Sequence, residues 1–217
     1  TYYTTGKELK DLLEVETTVA KIKTDAHLQF SGVRFSHNPH RVPFDRVTSV
    51  AIRNARGVYE PLLPEKLYRV CMNFYSAQMV DYVRNASHGL LSVTPRDRQG
   101  RPVTDTKEGV VDADARTPGI QEIKEWVALA DYLKAFPDTD GNGIPEIPER
   151  YRGPEGRFKA VPSWNPIDLV AGGNAITWGV VGMGLAAIVL AFIVIRFAAR
   201  WISLSKKGRG RPAPGGR

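Results

Sequence analysis

Between Asp168 and Arg196 the chain runs for 27 residues without an ionisable side chain and then turns basic. Its centre, Ala175–Ile195, is 21 residues of almost wholly apolar character, AITWGVVGMGLAAIVLAFIVI. A helix rises about 1.5 Å per residue, so about 20 such residues cross the roughly 30 Å hydrocarbon core of a bilayer. In lipid, a helix is the single-segment structure that satisfies its own backbone hydrogen bonds. A core helix of a soluble domain is usually shorter and carries charge on at least one face. Residues 169–196 are therefore expected to form one transmembrane helix, with residues 197–217 as a basic tail.

The flanks orient that helix. Arg196, Arg200, Lys206, Lys207, Arg209, Arg211 and Arg217 follow the span with no acidic residue among them, whereas Asp168 stands close before it. The positive-inside rule puts this tail in the cytoplasm and residues 1–168 across the membrane. Trp178 and Trp201 fall near the two ends, where indoles settle at lipid–water interfaces. The same seven basic residues account for the whole formal charge of +7, leaving residues 1–195 neutral. The basic balance is then a topology signal with a role at anionic headgroups. Nucleic acid is not implied as a partner.

An exported domain needs a leader, and the chain opens on Thr1-Tyr2-Tyr3 without an initiator Met or a charged-then-apolar segment. Residue 1 is accordingly expected not to be the start of the gene product. The single cysteine, Cys71, has no partner for an internal disulfide, and its apolar surroundings suggest a buried strand thiol rather than a nucleophile.

Along the chain, Thr5 looks like the N-cap of a helix carrying Leu9, Leu12, Leu13 and Glu16 at helical spacing. Residues 27–36 read as a strand bent at Ser31-Gly32, residues 37–40 as a turn, 47–52 as a second strand and 68–74 as a third. Residues 76–84 suggest a short helix, and the polar stretch 92–117 a long surface excursion. Thr117 and Pro118 read as cap and first residue of a helix reaching Phe136. Its Ile120, Ile123, Val127, Ala130 and Leu133 would form one buried face. Six prolines between residues 137 and 166 predict an irregular leash to the membrane.

This order defines an α/β (α+β) partial sandwich domain over residues 1–136, incomplete at its N-terminus. It is followed by a linker, 137–168, and one C-terminal transmembrane α-helix. Four blocks in sequence, TGKELKDLLE, LQFSGVRFSHNP, DRVTSVAI and LYRVCMNF, resemble the latter half of the C-terminal domain of the 5′-nucleotidase family. That family includes periplasmic UDP-sugar hydrolases and cyclic phosphodiesterases. The resemblance implies an upstream metallophosphatase domain with two divalent metals, and a C-terminal domain that clamps the nucleoside. The motifs that hold those metals are not found in this sequence, so no catalytic residue is assigned here. Two paired ions would activate water and stabilise the leaving oxygen in such a reaction.

By resemblance Phe74 falls on the aromatic that stacks the base, a contact that any nucleobase offers. Downstream the pattern departs from the family. Where the family has Gly-Gly-Asp-Gly-Tyr, this chain has Gln78-Met79-Val80-Asp81-Tyr82. The ribose-binding carboxylate position holds Val80, and Asp81 comes one residue late. A one-residue shift on a helix rotates a side chain by about 100°. Gln and Met also crowd a backbone that glycines would leave open to a ligand.

A second chemical signal is local. Asp138, Asp140, Asn142, Glu146 and Glu149 stand at positions 1, 3, 5, 9 and 12 of a twelve-residue run with Gly143 at position 6. With the Ile144 carbonyl at position 7, this is the spacing of an oxygen cage for Ca2+. Pro145 and Pro148 oppose the exiting helix of a regulatory site, so a calcium-wrapped extracellular loop is the expected form, bracing the leash. An Asx-turn linker without an ion is the alternative. His37-x-x-His40 lacks a clear third ligand and is read as surface. Within the span, Ala175, Gly179, Gly182 and Ala186 share one face narrow enough for a partner helix.

Two functions compete at this point. One is the membrane-anchoring C-terminal part of a periplasm-facing phosphohydrolase in a bacterial inner membrane. The other is a non-catalytic accessory or scaffold subunit of a membrane complex, built from a degenerate nucleotidase domain.

Overall fold

Thr5 starts the first helix through a reciprocal cap. The Glu8 amide donates to Thr5 Oγ1 at 3.3 Å, and the Thr5 amide donates to Glu8 Oε2 at 2.9 Å. This capping box satisfies two otherwise orphaned groups. In the computed structural model it separates β1 (Tyr2–Thr5) from α1 (Gly6–Val19). An added Cβ at Gly6 would lie 2.2 Å from the Leu63 carbonyl oxygen, so only glycine lets the helix begin this close to that backbone. The Gly6 and Lys7 amides bond the Lys66 and Pro64 carbonyls there, at 3.0 and 2.9 Å.

The structure describes residues 1–19, 28–73, 75–77, 93–153 and 155–208, with side chains to Trp201. They form two units, Thr1–Trp164 and Asn165–Arg217. The first contains β2 (Val33–His37), β3 (Val47–Arg53), β4 (Tyr59–Pro61), β5 (Leu67–Val70), α2 (Glu125–Lys134) and β6 (Phe158–Ala160). One sheet has the order β4-β3-β2-β6, and a second pairs β1 with β5. All neighbours are antiparallel except β2 and β6, which run parallel with Phe35 opposite Phe158. Val33 and Phe35 alternate inward and meet Leu13 of α1 and Val47 of β3 in the buried core, with Phe30, Val50 and Ile52 around it.

Buried carboxylates tie α1 to the rest. Both oxygens of Glu14 accept backbone amides, from Val47 at 2.8 Å and Arg46 at 2.7 Å, and so fix where β3 begins. Thr18 Oγ1 accepts the Phe44 amide at 3.0 Å, and Phe44 holds a left-handed φ of 64°. Beside it, Arg41 and Asp45 form a buried ion pair of 2.9 Å. A non-glycine residue in that region is strained, and here the bonds on either side hold it.

Several local expectations change in three dimensions. The strand expected over 27–36 begins only at Val33, after Gly32 turns the chain with φ 77°. Residues 20–27 lie outside the described set. The third strand stops at Val70, where its ladder with β1 ends, so Cys71 is exposed rather than buried. Of the helix expected at 76–84, residues 75–77 are described and are helical, capped by Asn73 Oδ1 accepting the Ser76 amide at 2.7 Å. The excursion after residue 92 docks on β1 and α1: Val93 is buried, Tyr3 and Arg96 exchange backbone bonds of 2.9 Å, and Thr94 donates to Glu8.

Two corrections bear on the membrane-proximal half. Pro118 does not open a helix, because Gly119 follows with φ 89° and Asp112 Oδ1 accepts the Gln121 amide at 3.0 Å. The helix starts at Glu125, and none of its residues is buried. Of the expected face, Ile120, Ile123 and Leu133 are exposed and Val127 and Ala130 are half-buried. The leash is also not irregular throughout, since β6 adds to the sheet beside β2. Asn38 then holds the following residues through two bonds with the Ser163 backbone, at 3.0 and 3.2 Å.

In the second unit, α3 (Pro166–Val170) precedes α4 (Ala175–Gly208). Asn174 Oδ1 caps α4 by accepting the Ile176 and Thr177 amides, at 2.9 and 3.3 Å. The stretch Ala175–Trp201 of this helix is 27 residues long, apolar and exposed, enough to cross a membrane by length and composition.

Candidate functional site

The acidic loop is built by its own backbone. Asp138 accepts amides from Gly141 and Asn142 on Oδ1, at 2.8 and 3.2 Å, and from Gly143 on Oδ2 at 2.8 Å. Asp140 accepts the Asn142 amide at 3.0 Å and its side-chain nitrogen at 2.9 Å. Asn142 Oδ1 accepts the Ile144 amide at 2.8 Å. Gly141 and Gly143 take φ values of 71° and 84°, which lets the chain curl so tightly around the carboxylates. Glu146 closes the ring by accepting the Thr139 and Asp140 amides at 2.6 and 3.2 Å. The Thr139 amide, with that of Asp140, holds the Glu146 carboxyl below the usual carboxylate range.

The result is a convergence of Asp138, Asp140 and Glu146, whose ligand oxygens all lie within 4.8 Å of one another. Like charges at that spacing repel, and a hard divalent cation would neutralise them through oxygen donors of the type Ca2+ takes. The donor set fits such an ion. Of the other residues read as ligands, Asn142 and Ile144 lie in the same turn, while Glu149 pairs with Arg152 at 3.0 Å.

An aromatic clasp holds the loop's two ends, and the sequence reading did not include it. The Phe136 ring meets Tyr132 edge-on at 5.0 Å and Tyr151 at 6.0 Å, and the two tyrosine hydroxyls bond each other. The available signal was the helical spacing of Tyr132 and Phe136 just before the acidic run, with Tyr151 just after it.

Phe74 and Asp81, the residues placed by resemblance at a nucleoside, lie outside the described residues. The described residue before Phe74 is Asn73, whose side chain bonds Glu125 at 2.9 Å and caps the next turn. His37 and His40 do not converge on a common point. His37 tilts against the Phe35 ring, and His40 stacks on Trp164 at 4.0 Å. On α4, Gly179 and Gly182 have open space where a Cβ would stand.

Together these elements define a mixed α+β protein with two small sheets and one long apolar C-terminal helix. The sequence profile of the 5′-nucleotidase C-terminal domain matches residues 1–85. The remaining residues lie outside the match. A solved relative is a 5′-nucleotidase precursor from Thermus thermophilus, 22% identical, with a TM-score of 0.39 over 75% of this chain. The chain spans 25% of that protein's length. No curated protein matches.

Proposed function

We propose that this chain is the C-terminal, membrane-anchoring part of a 5′-nucleotidase-like phosphohydrolase whose residues 1–168 face the periplasm of a bacterial inner membrane. The observation that carries the reading is the joining of a 5′-nucleotidase C-terminal domain match over residues 1–85 to an exposed apolar helix at Ala175–Trp201. The basic residues after the span supply the orientation. Exposed Cys71, the one cysteine, is a ready reporter. A membrane-impermeant maleimide should label it in intact spheroplasts, and labelling that required lysis would reverse the orientation. In this reading a metallophosphatase domain supplies the chemistry. The native polypeptide should then release phosphate from nucleoside monophosphates in a chelator-sensitive way, and the 217-residue chain by itself should not.

The second reading, a non-catalytic scaffold subunit, draws on the Gln78-Met79-Val80 replacement of the glycine-rich block and on the small-residue face Ala175, Gly179, Gly182, Ala186. Co-purification with a membrane complex, without hydrolysis by the native polypeptide, would select it. Under either reading the loop at Asp138, Asp140 and Glu146 binds Ca2+, with Asn142 and the Ile144 carbonyl beside it. Calcium should protect the Gly141–Ile144 segment from protease, and Asp138→Ala should abolish the protection. Cleavage indifferent to chelator would leave a turn held by its own amides.

A further inference from the structure

All four tryptophans of the chain are exposed: Trp126, Trp164, Trp178 and Trp201 are 72%, 72%, 56% and 76% accessible. None serves the core around Leu13, and all lie in the half of the sequence that leads into and along the apolar helix. Trp126 belongs to α2, where Trp126, Leu129, Ala130 and Leu133 follow at steps of three, four and seven and share one face. Leu129 is 58% exposed, and Ile120 and Ile123 just ahead of the helix are exposed as well. Glu125 lies off this face and bonds Asn73, which directs the apolar side outward.

Such a face is unfavourable in water, by about 25 cal/mol per Å² left uncovered. The chain itself argues for what covers it. A helix able to cross a bilayer begins at Ala175, and ten residues separate it from Trp164, where the unit that carries α2 ends. A domain tethered by so short a connection stays at the lipid surface, where indoles concentrate. The flanking charges Lys124, Glu125, Asp131 and Lys134 balance, so attachment would be apolar rather than an attraction to anionic headgroups. We propose that α2 is an interfacial helix, seated with Trp126, Leu129 and Leu133 in the headgroup region of the membrane that α4 crosses.

This inference rests on the membrane-anchor reading, and the test separates the two. The full chain is reconstituted in phosphatidylcholine vesicles with plain or brominated acyl chains. One variant keeps only Trp126 (W164F, W178F, W201F) and a second keeps only Trp178 (W126F, W164F, W201F). Brominated lipid should quench Trp126 to a similar extent as Trp178, and Leu129→Asp in the Trp126-only chain should relieve that quenching without moving the thermal midpoint. Quenching of Trp178 but not Trp126 overturns the inference and leaves the anchor standing. Loss of both signals removes the anchor reading and the inference with it. A Trp126 emission that ignores bromine but shifts with the protein-to-lipid ratio assigns the face to a second copy of the chain and also overturns the proposal. Quenching that survives Leu129→Asp does the same, because contact would then not run through this face.

Discussion

The buried glutamates of α1 and the aspartates Asp112, Asp114, Asp138 and Asp140 use their carboxylates in opposite ways. In the first set an acid reaches far along the chain: Glu14 holds the amides of Arg46 and Val47, and Glu8 accepts from Thr94 and pairs with Arg96. In the second, Asp112, Asp114, Asp138 and Asp140 bond amides within a few residues, Asp112 to Gln121 being the longest reach. The first group is buried and organises packing, and the second is exposed and shapes turns. Distant bonding stabilises a fold, whereas local bonding fixes a loop with little help from the fold around it.

The sharpest way to break this contrast is to remove one acid of each kind. Glu14→Ala strands two amide donors beside Val47 and should lower unfolding stability by about 2–4 kcal/mol in urea titrations of the detergent-solubilised chain. Asp138→Ala should change the same midpoint by less than about 0.5 kcal/mol, since its partners reach water. Equal losses at both sites would erase the distinction.

A smaller effect separates two acids on one helix by the sign of their pH dependence. Burial disfavours the charged form of Glu8, but hydrogen bonds from Arg96, Thr5 and Thr94 outweigh it and hold its pKa at about 2, against an ordinary 4.5. Its stabilising contribution is complete above 4.5 and is lost as pH falls towards about 2. Glu8→Gln should therefore flatten the acid limb of the stability curve. Asp11 behaves oppositely. Burial pushes it up to about 6 against the pull of Lys7 and Lys10, with Glu8 adding to the rise. The folded chain binds that proton more tightly, so stability falls as pH rises from 3.8 to about 6 and stays lower above. Asp11→Asn should remove this descent and raise the thermal midpoint at pH 7 slightly. A lowered midpoint would show that the Asp11 charge is stabilising.

The smallest expected change is local. Asn38→Ala removes both bonds to Ser163 and should speed amide exchange at residues 158–163 with little change in the global midpoint. Unchanged exchange there would mean that β6 alone holds the segment.

What could be read from the sequence follows the same division. The Thr5 cap, the β3 strand and the apolar helix are short-range patterns; the first two stand where their residues predicted, and the helix begins at Ala175 rather than at residue 169. The Glu14 bonds, the β1–β5 pairing and the return of β6 to β2 join positions tens of residues apart, and no local period announces them. The helix start expected at Pro118 failed for a different reason. Proline at a first position is a permissive signal, and the left-handed Gly119 beside it with the carboxylate cap of Asp112 made a turn instead.

The strand β6 also decides how a mechanical load would travel. Tension on the backbone at Asn165 first meets Ser163, held by Asn38, and then the three-residue ladder between β6 and β2. It enters the sheet there, and the acidic loop from Asp138 to Glu146 lies off that path. Lengthening or cutting the chain near Gly141 would then leave the pull of the apolar helix on the domain unchanged, while a single substitution at Asn38 would alter where it is felt.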